Sequence, residues 1–252
     1  QKKQENIQVT VNKVGEMAMG NQESLDNFNY YQTLLKDPLV HSISVKLSSI
    51  FYDIRPLNAE SASRELINKL STLFKNSPDI CVENEVTRSK LIMVDMEEYD
   101  YFHLTFRVVK ESIQMVDRKN LYAGFVLQAY LLESFDTYLC FLEFSKRRVM
   151  DGAHPLRIRL VKGANLEIER IHASRESWTF PLYTSKEDVD ANFKFILDYA
   201  LTEENLKYLH IGVASQLFWI ASSKLWPKRQ ANSLLHCTES PWLVPLAVPK
   251  EA

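Results

Sequence analysis

Residues 156–165, Leu-Arg-Ile-Arg-Leu-Val-Lys-Gly-Ala-Asn, constrain the fold of this chain more than any other stretch. Their alternation places Ile158, Leu160 and the Gly163 backbone in one environment, and Arg157, Arg159 and Val161 in another. Long and β-branched aliphatic side chains at this spacing predict a buried strand. Gly163 allows a tight exit, and Asn165 to Arg170 then starts a helical pattern. Cations at the carboxyl end of a buried strand, facing the next helix, are where α/β proteins hold anionic ligands. The simpler alternative is an ordinary strand whose arginines snorkel to the rim.

The same strand-then-helix grammar recurs along the chain. Ile7 to Val14 alternates and reads as a first strand, ending near Gly15-Glu16. A helix follows from Asn21 to about Leu35, with Phe28, Tyr31, Leu34 and Leu35 inward, and Lys36-Asp37-Pro38 stops it. His41 to Ser48 predicts the second strand, with Ile43, Val45 and Leu47 on one side and Ser44, Lys46 and Ser48 on the other. Leu66, Leu70 and Phe74 mark a helix over 59–74, and an irregular link then leads to a third strand over 91–98, apolar and ending in acids. A helix over 101–116, a strand over 123–130 with Gln128 near its end, and a helical stripe of Phe135, Tyr138, Leu139 and Leu142 precede residues 156–165. The basic run Lys146-Arg147-Arg148 suits a helix end that complements the dipole. Helices over 167–174 and 188–201 and a strand over 208–215 complete six units. Such repetition predicts a parallel sheet and, at this spacing, a (β/α) barrel.

A chain of 252 residues suits one sizeable domain of that kind. A net charge of −2 gives no case for nucleic acid. No apolar run approaches a bilayer span, and the polar start, Gln1 to Asn6, is not a signal peptide. The three cysteines, Cys81, Cys140 and Cys237, form no CxxC pair, which favours a reducing compartment over a structural zinc site; no metal is expected. With six glycines and neither a GxGxxG nor a GxxxxGK[ST] motif, a Rossmann dinucleotide fold and a P-loop are both excluded. Residues 216–252 break the pattern: they contain no glycine, three of the four tryptophans, and prolines at 241, 245 and 249 that exclude a regular terminal helix. Seventh and eighth units are not recognisable, and six strands cannot close an eight-stranded barrel.

Taken together, ISVKLS at 43–48, VDME at 94–97, VLQAY at 126–130, RLVKGAN at 159–165 and YTSKEDVDANF at 183–193 resemble the proline dehydrogenase domain of the bacterial bifunctional proline utilization A family. VGE at 14–16 fits as well, and the resemblance covers roughly residues 8–215. It implies a distorted (βα)8 TIM-type barrel, here incomplete, spanning 7–215, with a divergent tail over 216–252. It further implies FAD at the carboxyl ends of the strands. The reaction implied is oxidation of L-proline to Δ1-pyrroline-5-carboxylate, with electrons passed to a quinone. The implied setting is cytoplasmic, with peripheral association at the inner membrane in the full-length family. By the same resemblance, Lys46 pairs with the substrate carboxylate and Asp95 arranges the pocket, with Tyr130 as a wall. Gln128 and Arg159 contact the isoalloxazine, with Arg159 near the hydride-accepting edge. Val161, Lys162, Gly163 and Ala164 line the cofactor, and Thr184 and Lys186 reach its phosphate or adenosine portion.

Each of these residues also has an ordinary reading. Lys46 suits a strand rim, Asp95 with Glu97 and Glu98 a solvated helix start, and Gln128 the satisfaction of buried backbone. Thr184 and Glu187 have capping-box spacing. The sequence departs from the family after Ser215, where Gln216-Leu217-Phe218 stands in place of a His-Asn pair, and no paired arginines follow Arg148. This is the pattern of a truncated or frameshifted end. Two rival readings therefore stand beside the flavoenzyme. One is a remnant that neither binds FAD nor turns over. The other is an aldolase-like barrel using Lys46 or Lys162 as a Schiff-base lysine.

Overall fold

A computed structural model describes residues 10–13, 17–55, 58–81, 87–176 and 180–214. The motif at 14–16, Ser215 and the tail over 216–252 lie outside the described residues. The strand over 156–161 obeys its alternation: Leu156, Ile158 and Leu160 are buried, while Arg157, Arg159 and Val161 are half-buried. In chain order the elements are β1 (Thr10–Asn12), α1 (Asn21–Lys36), β2 (Ser42–Val45), α2 (Leu47–Ile50), α3 (Ala59–Asn76), β3 (Asp79–Cys81), β4 (Thr87–Ser89) and β5 (Leu91–Val94). A 3₁₀ turn (Tyr99–Tyr101) leads into α4 (Phe102–Val116), β6 (Ala123–Gln128), α5 (Ser134–Met150), β7 (Leu156–Val161), α6 (Leu166–Glu176), α7 (Lys186–Ala200), α8 (Glu203–Leu206) and β8 (Leu209–Val213).

Six strands form one sheet in the order β1-β2-β5-β6-β7-β8, and every neighbouring pair is parallel. The fold is α/β, and the sheet is the wall of a barrel that the described residues leave unclosed. Register assigns the two faces. Ile43, Val45, Ile92, Val94, Phe125, Leu127, Ile158 and Leu160 share the face covered by helices, and each is fully buried. There Phe125 meets Phe141 of α5 edge-on at 4.8 Å and Phe106 of α4 at 5.5 Å. Asn12, Ser44, Asp95, Arg159 and Gln128 occupy the other face together with Met93 and Val126, so polar side chains gather on the concave side of the wall.

Several boundaries differ from the sequence reading, each for a local reason. The second strand stops at Val45 instead of Ser48, because the chain turns into α2 at Leu47 and the Lys46 carbonyl accepts from the Ser49 amide (3.2 Å) and hydroxyl (2.7 Å). The third strand stops at Val94, and Glu97 binds Ser48 instead of solvent. The link over 77–90 holds an antiparallel hairpin, β3 with β4, too short to announce itself by alternation. The strand expected to reach Tyr130 ends at Gln128. α7 starts at Lys186 with Ser185 as its cap: the Ser185 hydroxyl accepts from the Asp188 amide at 3.0 Å, so the Thr184–Glu187 capping box does not form. The buried stripe of α5 contains Tyr138, Phe141 and Leu142, while Phe135 and Leu139 are half-buried.

Two tight features hold the wall. Gly124 faces the backbone of Arg157 so closely that an added Cβ would overlap its carbonyl oxygen. Lys90, 3% exposed, donates to the Leu35 and Asp37 carbonyls at 2.8 and 2.6 Å, capping the end of α1 from the start of β5. Lys90→Met strands those carbonyls and should cost about 1–3 kcal/mol in urea unfolding. Gly124→Ala forces β6 and β7 apart and should cost at least about 1–3 kcal/mol in the same measurement.

Candidate active site

The carboxyl ends of β2, β5, β6 and β7 place their polar residues together. Parallel pairing brings this about, because each strand delivers its last concave-facing side chain to the same end of the wall. Arg159 reaches across β6 to form an ion pair with Asp95, whose side chain is only 10% exposed. The Ser44 hydroxyl donates to the same carboxylate oxygen at 2.6 Å and accepts from Arg159 Nη2 at 3.4 Å. Asn12 Nδ2 donates to the other oxygen at 3.3 Å. A buried carboxylate is tolerable only with such complete pairing.

A second carboxylate lies beside the first. Glu97 accepts from the Ser48 hydroxyl and, at 3.2 Å, from the Ser48 amide. Burial pushes the Glu97 carboxyl above the ordinary range; the Ser48 bonds and the nearby Lys46 charge pull it back, and Asp95 adds to the rise. Lys46 is half-buried between β2 and α2, close enough to Glu97 for that attraction. Gln128, 3% exposed, donates its amide to the Glu97 carbonyl at 3.3 Å. Its Oε1 is buried and has no partner among the described residues.

After β7 the chain turns at Gly163, whose φ of +128° a residue with a side chain rarely adopts. A Cβ there would overlap the ring of Tyr130. Tyr130 is itself fixed by the bond from its amide to the Lys162 carbonyl (2.8 Å) and by the Tyr183 amide on its own carbonyl (2.8 Å). Lys162 forms an ion pair with Asp190 of α7. Further along this rim, buried Glu169 accepts from the Tyr99 amide at 2.6 Å, and Glu133 faces His103 at 3.5 Å. Burial, the leading cause in both, raises these two carboxyl groups as well.

Lys46, Asp95, Gln128 and Arg159 thus belong to one connected group, and Tyr130, Val161, Lys162 and Gly163 to the adjoining turn. Ala164 is exposed. Thr184 and Lys186 are exposed at the start of α7, where the Thr184 carbonyl accepts from Arg170 at 3.4 Å. Sequence reasoning did not select Asn12, Ser44, Ser48 or Glu97. Ser44 lies two residues before Lys46 and Glu97 two after Asp95, so the alternation held the signal.

Asp95→Asn leaves the Arg159 guanidinium with a neutral partner in a half-buried place, and should cost about 1–3 kcal/mol by urea unfolding. The raised acids also set a pH dependence. The folded chain keeps carboxyl protons that the unfolded chain has already lost, so stability falls as pH rises from the ordinary carboxylate range through the raised titrations. Glu97→Gln should flatten part of that fall, seen as a smaller decline in the urea midpoint between about pH 4 and pH 8.

With this geometry in place, likeness to known proteins is informative. No curated protein sequence matches the chain. Among solved structures, proline utilization A from Corynebacterium freiburgense is 34% identical, with a TM-score of 0.76 over 85% of this chain and 22% of its own. Proline utilization A from Bdellovibrio bacteriovorus inactivated by N-propargylglycine is 28% identical, with a TM-score of 0.70 over 85% of this chain and 23% of its own. A mutant of proline utilization A from Bradyrhizobium japonicum, 20% identical with a TM-score of 0.67 over 82% of this chain and 21% of its own, shares the fold. The chain therefore spans less than a quarter of the length of these proteins. The family model described as proline dehydrogenase matches residues 1–217, and the chain belongs to the proline dehydrogenase family.

Proposed function

We propose that the polar end of this wall binds FAD and oxidises L-proline to Δ1-pyrroline-5-carboxylate, with electrons passing on to a quinone. Family membership supports the reading, and the Gln128 side chain carries it within the site. A buried acceptor without a partner is costly, and it fits a ligand that brings an N–H, as an isoalloxazine ring does. When bound, the flavin supplies a hydride acceptor for the carbon next to the proline nitrogen.

The chain's own residues then have distinct tasks. Asp95 and Ser44 hold Arg159 in one orientation, so its charge is available to an electron-rich ring without reorganisation. Lys46 offers its charge to the substrate carboxylate, and Glu97 beside it keeps the ammonium at the strand end. Gly163 lets the backbone pass close to the ring of Tyr130, which walls the pocket. Val161, Lys162 and Ala164 line the cofactor, while Thr184 and Lys186 reach its phosphate end from the exposed start of α7. Nothing in the geometry favours the Schiff-base reading for Lys162, whose ammonium has Asp190 as partner. Among the described residues no helix is long and apolar enough to cross a membrane.

The absorbance spectrum of the purified chain, incubated with FAD and then with L-proline under anaerobic conditions, tests the proposal. Flavin bands that bleach on adding proline are the expected result. A folded sample that takes up no FAD would overturn it and leave the remnant. In an active sample Lys46→Met should raise KM for proline by about tenfold or more, the equivalent of one charge-assisted bond.

A further inference from the structure

The opposite, amino-terminal end of the wall carries a second polar group that proline oxidation does not use. It consists of Arg88 on β4, Tyr122 just before β6, His154 just before β7, Arg157 near the start of β7 and His210 near the start of β8. The hairpin is tied to this end by the Ser89 amide on the Asn120 carbonyl (2.8 Å) and by the Tyr122 amide on the Ser89 hydroxyl (2.8 Å). That anchorage sets the Arg88 guanidinium 3.9 Å over the centre of the Tyr122 ring. Arg88 Nη1 is buried with no partner among the described residues.

The proton arrangement of the group follows from its bonds. Arg157 Nη1 donates to the Tyr122 hydroxyl oxygen at 2.9 Å, and the hydroxyl lies 3.3 Å from His210 Nδ1. Giving the Tyr122 proton an acceptor assigns it to Nδ1, and we assign the His210 proton to Nε2, as a donor. His154 is the reverse: its Nδ1 donates to the Pro155 carbonyl at 2.8 Å, which leaves Nε2 as an acceptor. The two imidazoles stand edge to face at 5.6 Å, and the His154 ring meets Tyr122 at 4.9 Å. Burial first, then His154, Arg157 and Arg88, push His210 down to about 4, so it is neutral at pH 7. His154 is lowered by burial and by Arg88, against the Pro155 bond. Among the described residues, the ionisable neighbours that act on Arg88 are Tyr122 and Arg157, and no carboxylate is among the groups acting on Arg88 or either histidine. The Arg157 guanidinium packs against Gly212, where an added Cβ would approach Nη2 to 3.1 Å.

Two guanidiniums, partly desolvated and without a counter-charge among the described residues, are unfavourable as they stand. We propose that they form a binding site for a phosphate-class dianion, with Arg88 and Arg157 as charged donors, His210 as a neutral donor and His154 as acceptor for the ligand's own hydroxyl. A monohydrogen phosphate has the two negative charges, the several acceptor oxygens and the single O–H that this set requires. The planar guanidinium fork suits such an oxyanion better than an ammonium would. The site is at the other end of the sheet from Asp95 and Arg159, and it does not depend on the proline reading.

The histidine-labelled chain, titrated by NMR with inorganic phosphate at ionic strength held constant with chloride, tests this directly. The expected result is a saturable shift of the His154 and His210 resonances, identified with H154Q and H210Q, with an apparent Kd of about 1 mM or tighter. Arg88→Gln, which keeps a planar group over Tyr122, should weaken the binding by about tenfold or more. Glycerol phosphate is the second probe: the same shifts would support esterified phosphates as ligands, and none would support the free ion alone. The proposal is overturned if phosphate moves neither histidine, if chloride alone reproduces the shifts, or if folded R88Q binds phosphate as tightly as the unmodified chain.

Discussion

The ion pair between Arg159 and Asp95, with Ser44 between them, is the interaction on which the candidate site depends. It joins three strands that are far apart in sequence and not all adjacent in the sheet. Two charges withdrawn from water are expensive, and partial pairing would be worse than none. The group is therefore mutually dependent: Arg159, Ser44 and Asn12 together serve the two oxygens of one carboxylate. The apolar face behind it, with Phe125, Phe141 and Phe106 in contact, holds the strands in the register that makes this possible.

A barrel wall separates two chemistries by polarity of the strands alone. At the carboxyl ends the charges are mixed, with Arg159 paired to Asp95, Lys162 paired to Asp190, and Lys46 near Glu97. At the amino-terminal ends Arg88 and Arg157 gather beside two imidazoles, while acids such as Asp79 are paired elsewhere, with Arg118. Arg157 and Arg159, two residues apart on one strand, serve opposite ends of this arrangement. The period of two puts both on the concave face, and the rise of the strand divides them.

Much of the scaffold was legible because hydrophobic periodicity is a local property. The six parallel strands and most helices follow from runs such as Leu91 to Val94 and from stripes such as Leu66, Leu70 and Phe74. Errors fell at ends, where side-chain bonds outweigh pattern. Ser49 closing on the Lys46 carbonyl ended β2 early, and the Ser185 hydroxyl took the cap expected of Thr184. The β3–β4 hairpin escaped notice because its strands are three residues each.

Within the site, the residue types at strand ends pointed by resemblance to Lys46, Asp95, Gln128 and Arg159, and these do converge. The partners that fix them, Ser44, Asn12, Ser48 and Glu97, could only be assigned once the register was known. By itself the sequence determined an α/β wall, its polar strand ends and its family motifs, since each is written in spacing within a single segment. Only the tertiary structure decided that Glu97 is drawn in against Ser48, that Gln128 has an oxygen without a partner among the described residues, and that Arg88, Arg157 and two histidines meet without a described carboxylate. Burial and charge pairing are sums over neighbours distant in sequence, and no local pattern encodes them.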